Sequence, residues 1–176
     1  MRSRLPARGP EIASRVFLRS FDVDCGELLP GHRFIARGLA GTYPLPIPEE
    51  WEGDDAQYAE MLGYIDAGGY PGFSLEYELT PGIPAGAEED GFFRYLVRIE
   101  YEADVQLPWY PQDGGAIAAF AGGETTHGSR GDWPLPPAAQ VLTFTMYRVN
   151  DAGFTEEAPA GRLIVDLPGN SARWQP

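Results

Sequence analysis

Carboxylates recur at alternate positions in Asp22-Val23-Asp24-Cys25-Gly26-Glu27, a spacing that lets side chains converge on one cation, as at the start of a calcium loop. The rest of the segment departs from that pattern. Its sixth position is Glu27, where the loop needs a glycine for its sharp turn. Its twelfth is Arg33, which would repel the metal that a carboxylate should clasp there. The segment is therefore expected to be a solvated turn between two strands. The same stretch sets the one thiol of the chain, Cys25, near His32 and Glu27, and an imidazole beside a thiol is one route to a sulfur nucleophile. No family spacing supports the pairing, and a lone cysteine is expected to be a small buried apolar residue.

Glu124 and His127 stand three residues apart in a glycine-rich stretch and could act as an acid/base or metal pair. Two histidines in the whole chain do not furnish the three or four ligands a metal site uses, so no metal is expected and His127 reads as an exposed loop residue. His127-Gly128-Ser129-Arg130-Gly131 lacks the glycine two residues before the serine that a nucleophile elbow requires. Arg130-Gly131-Asp132 matches an integrin-type tripeptide, but glycine and aspartate are common enough here that chance accounts for it. Lysine is absent altogether. That removes Schiff-base, pyridoxal-phosphate and P-loop chemistry, each of which needs an amine or ammonium that a guanidinium does not supply, and no cofactor is expected.

Charge narrows the partners. The formal charge of the 176 residues is −13, and residues 38–176 hold six arginines against twenty-two carboxylates, a formal −16. Such a body repels phosphates and anionic lipid, so nucleic acid and membrane surfaces are disfavoured and a basic protein is the better fit. No stretch is long and apolar enough to span a bilayer, and the Arg-bearing start lacks the apolar core of a signal peptide, so a cytoplasmic location is expected. Lysine-free, Arg-, Ala- and Gly-rich usage resembles that of proteins from GC-rich bacteria.

These residues must be held by mostly extended elements. Phe92 to Asp104 alternates strictly, with Phe93, Tyr95, Val97, Ile99, Tyr101 and Ala103 on one side, the pattern of a half-buried strand at the centre of an antiparallel sheet. Further strands are expected over 15–23, 32–39, 72–80, 116–121, 141–149 and about 163–167, with turns at Cys25-Gly26, Pro30-Gly31 and 150–153. Residues 72–80 and 92–104 are expected to pair as a long-looped hairpin, setting Glu76 and Glu78 beside Arg94 and Arg98. Tyr43-Pro44-Leu45-Pro46-Ile47-Pro48 reads as a rigid connector. After it, Asp54 caps a helix whose Tyr58, Met61, Leu62 and Ile65 share a face, and Gly68-Gly69 ends it. The expectation is an all-β, mainly antiparallel sandwich or barrel of about seven to eight strands with one short amphipathic helix. Residues 1–13 read as a flexible arm, 14–168 as a single domain and 169–176 as coil.

Two functions fit. The first is a non-catalytic acidic interaction protein, inhibitor-like, immunity-like or accessory, that binds a basic surface of another macromolecule. It would use aromatics presented on proline-stiffened loops: Tyr43, Trp109, Tyr110 and Trp133, with His127 beside them. The alternative is a barrel holding a small apolar ligand, a cyclase or isomerase that templates its substrate with no metal, its cavity lined by Tyr77, Tyr95, Tyr101 and Tyr147.

Overall fold

The computed structural model describes residues 17–41, 55–83, 97–105, 116–117 and 126–176. Their nine strands form two antiparallel sheets, which makes the fold an all-β sandwich with one short helix. The first sheet has the order β1-β2-β3-β6, from β1 (Phe17–Leu29), β2 (His32–Gly41), β3 (Tyr70–Thr80) and β6 (Thr126–Leu135). The second has the order β5-β4-β7-β8-β9, from β4 (Val97–Ala103), β5 (Ala116–Ile117), β7 (Val141–Tyr147), β8 (Gly161–Asp166) and β9 (Ser171–Gln175). β1 lies against β9 and β5 against β6, so the sheets approach along both edges. Among the described residues no helix is long and apolar enough to cross a membrane.

The first hairpin shows how sequence sets register. Leu29 faces His32 across Pro30-Gly31, and Gly31 has φ 79°. Proline presets the first central position of such a turn and glycine supplies the left-handed second one, the combination a type II turn uses. β1 then runs back through Gly26 and Cys25, where a turn is expected, and the repeated shifts of its register with β2 take up that glycine without ending the strand. Side-chain pairs reinforce the ladder. Arg33 grips Asp24 through both Nε and a terminal nitrogen, at 3.0 and 2.6 Å, and Arg37 bridges Asp22 and Glu78.

Alternation in β4 and β7 builds the opposite wall. Val97, Ile99, Tyr101 and Ala103 are buried, as are Leu142, Phe144 and Met146, while Arg98 and Glu102 face water. Residues 92–96 of the expected strand lie outside the described residues. Its expected hairpin with 72–80 does not form: β3 pairs with β2 and β6, and β4 pairs with β5 and β7 in the other sheet. Glu78 therefore meets Arg37, Glu76 accepts a bond from the Ser74 hydroxyl at 2.8 Å, and Arg98 pairs with Glu100 on its own strand.

Two segments read as loop or coil are strands. Residues 126–135 form β6 at a sheet edge, where the missing N–H of Pro134 is tolerated. Residues 171–175 form β9, whose Trp174 ring lies over Gly161 of β8 so closely that a Cβ there would collide with it. The helix α1 (Asp55–Asp66) forms where expected and closes as the Gly69 N–H donates to the Tyr64 carbonyl at 3.0 Å, with Gly68 at φ 94°. Leu62, expected on its buried face, remains 36% exposed.

Candidate interaction loop

At one end of the sandwich the chain leaves β7 and returns to β8 through residues 148–160, and this loop is tied at each level by backbone bonds. The Val149 N–H donates to the Leu28 carbonyl of β1 at 2.8 Å, joining the two sheets, and Val149 forms an isolated bridge with Thr155. The Glu156 N–H donates to the Arg148 carbonyl and the Ala160 N–H to the Met146 carbonyl, both at 2.8 Å. Asn150 organises the tip. Its side-chain oxygen accepts from the Ala152 and Phe154 N–H groups, each at 3.0 Å, and its own N–H donates to the Phe154 carbonyl at 2.8 Å. Gly153, at φ 84°, closes the turn.

This scaffold holds the ring of Phe154 in water, 70% exposed. Asp151, Glu156 and Glu157 around it are exposed, and none pairs with an arginine among the described residues. One arginine, Arg148, stands against those three carboxylates. Elsewhere the same sequence neutralises its acids with care, as at Asp24, Asp22, Glu78 and Glu100. Glu27, next to Leu28, adds a further exposed acid at this end, its carboxylate accepting from the Gly31 N–H at 2.8 Å. Chemically the loop offers an apolar ring with a negative rim on a pre-ordered backbone.

The residues proposed from sequence fare differently. Tyr43, Tyr95, Trp109, Tyr110 and Glu124 lie outside the described residues, as does the proline connector. His127 stands in β6 opposite Glu78, within a strand and not a loop. Trp133 is not presented to solvent: it is 1% exposed and sits at the centre of the core, so its expected role as a surface anchor gives way to packing. Phe73 and Trp133 from one sheet meet Tyr101 and Phe144 from the other, with every pair of ring centroids 5.3–6.2 Å apart.

Of the tyrosines expected to line a cavity, the three described ones, Tyr77, Tyr101 and Tyr147, do not share one. Tyr101 belongs to that packed cluster. Tyr77 stacks on Phe34 at 4.5 Å. Tyr147 lies on the outer face, where Arg98 sits 4.6 Å from its ring centre and its hydroxyl donates to Glu100 at 2.7 Å. Nor do Cys25 and His32 form a dyad: Cys25 is buried, burial pushes its thiol up to about 12, and His32 donates from Nδ1 to the Pro81 carbonyl at 2.5 Å. Asp22 and Asp24 are taken by Arg37 and Arg33, which leaves the calcium reading without its first carboxylates.

Phe154 escaped the sequence reading, although a signal existed. No large apolar residue stands within four positions of it on either side, so neither strand nor helix periodicity can bury it. No protein-family model, curated protein or solved structure matches this chain.

Proposed function

We propose that this protein is a non-catalytic acidic interaction domain that docks on a basic surface of another protein, with Phe154 entering an apolar pocket inside a rim of arginine and lysine. The observation that carries the reading is the 70% exposure of Phe154 on a loop whose tip amides are already bonded. An aromatic held in place loses little conformational freedom on docking, and buried aromatic anchors dominate the energetics of most interfaces. Asp151, Glu156 and Glu157, unpaired among the described residues, would steer a basic partner and fix its orientation. The cyclase or isomerase alternative draws no support from the middle of the sandwich, which the Phe73, Tyr101, Trp133 and Phe144 rings occupy.

The test is capture of partners on the immobilised protein, followed by titration with the purified captured protein. A basic partner should lose about 2 kcal/mol or more of binding energy when Phe154→Ala is introduced. Its affinity should also fall steeply between about 0.05 and about 0.5 M salt. A partner that binds Phe154→Ala as tightly as the wild type, with no response to salt, would refute the proposal.

A further inference from the structure

At the opposite end of the sandwich a cleft of about 320 Å³ opens between the start of β1, the α1–β3 junction, the β6–β7 connection and the residues after β8. Apolar side chains of Leu18, Tyr70, Leu135, Pro137 and Leu167 share its walls with polar groups, among them Gln140, and its one charged lining residue is Arg19. Among the described residues, the guanidinium is held at the wall by backbone carbonyls alone. It donates to the Leu18 carbonyl at 2.6 Å and, from the other terminal nitrogen, to the Leu167 carbonyl at 3.3 Å. Its Nε is buried with no hydrogen-bond partner among the described residues. Among the described residues no carboxylate pairs with Arg19, in a chain whose acids outnumber its arginines two to one.

Two carboxylates near the mouth are engaged by the backbone. Asp104 accepts from the Gln140 N–H at 2.9 Å, and Asp166 accepts from the Gly169 N–H at 3.2 Å. These bonds fix the loops that frame the cleft, and neither carboxylate bonds Arg19. A guanidinium carries five N–H donors, and two go to carbonyls here, so each terminal nitrogen keeps a donor for an anion.

We infer that this cleft binds a small organic carboxylate, with the anion on the terminal nitrogens of Arg19 and an apolar body against Leu18, Tyr70 and Leu167. The volume is at the lower end for small-molecule sites, which suits a short aliphatic or single-ring acid. This inference is independent of the interaction loop, which lies at the other end of the strands. A failure of either leaves the other standing.

The probes are benzoate and octanoate, with neutral benzamide and inorganic phosphate as controls, followed by amide NMR of the full chain. The carboxylates should move the Gly68, Gly69, Ala139 and Gln140 amides saturably, with Kd below about 1 mM. Benzamide and phosphate should each bind at least tenfold more weakly. Arg19→Gln should abolish the shifts and Arg19→Lys should weaken them, because an ammonium cannot present a planar fork. Gln140→Trp, a change at an exposed rim position, should weaken binding at least fivefold while the fold is kept; it decides the matter if Arg19→Gln does not fold. Absence of saturable shifts, equal binding of benzamide or phosphate, or full affinity in a folded Arg19→Gln or in Gln140→Trp would each overturn the inference.

Discussion

The Tyr101 hydroxyl on β4 donates a 2.9 Å hydrogen bond to the Pro134 carbonyl on β6, a polar tie from one sheet to the other beside the aromatic core. Both residues are buried, so water cannot replace either partner. Tyr101→Phe keeps the ring contacts and strands the carbonyl, and should lower stability by ~1–3 kcal/mol. Chemical denaturation checks this, with an unchanged dependence on denaturant showing that the fold itself is kept.

Trp133→Ala should destabilise by ~3–5 kcal/mol, a large share of an ordinary domain's margin. The ring touches Phe73, Tyr101 and Phe144 at once, and removing it leaves those three around a void. Thermal unfolding reads the effect. A variant that melts with the wild type would place Trp133 outside the core.

Asn150→Ala removes the acceptor of the Ala152 and Phe154 amides. Exposed bonds of this kind contribute roughly 0.5–1.5 kcal/mol each, so stability should fall modestly. Amide exchange at positions 152 and 154 should accelerate much more than exchange in β7 or β8. Partner binding should weaken as well, because Phe154 would then have to be ordered on docking.

Alkaline pH should destabilise the protein through Cys25. Desolvation raises the folded thiol to about 12, while an unfolded cysteine titrates near about 8.5. Below the unfolded value both states hold the proton and Cys25 adds no pH dependence. Above it the unfolded chain releases its proton first, so stability falls as pH climbs toward the folded value. Cys25→Ala should flatten that decline in unfolding measured across the alkaline range. At about pH 8 the native thiol should also resist iodoacetamide until the protein is unfolded.

The elements that sequence reveals here are those whose pattern is local. The alternation of Val97 to Ala103 and of Leu142 to Met146 names the buried face without knowledge of any partner, and the Gly68-Gly69 stop marks the helix end. Pairing is not local. β3 sits between β2 and β6 because its two edges find those strands, and nothing within residues 72–80 distinguishes them from β4 as neighbours. β6 carries Gly128, Gly131 and Pro134, residues that argue against a strand, and it forms on the ladder that β3 offers. β9 similarly depends on Gly161 making room for Trp174. The candidate loop was half legible: Asn150 to Gly153 announce a turn, but the exposure of Phe154 follows only from how that turn is bonded.

The contact of β1 with β9 makes the order of synthesis matter. Arg19 reaches the Leu167 carbonyl across 148 positions of sequence, and β9 is made last of the nine described strands. A nascent chain that stops short of residue 171 has β8 as a bare edge and nothing over Gly161. Bare edges recruit strands from other chains, so the half-made protein is the form most exposed to misassembly. Sandwiches closed by such distant contacts fold in roughly milliseconds to seconds, and at roughly 5–20 residues per second translation takes about 0.25–1 s to add β9, so the two intervals overlap. Elongation through β9 therefore contributes to the pace of closing, and slow codons in that stretch of the message would lengthen the vulnerable interval.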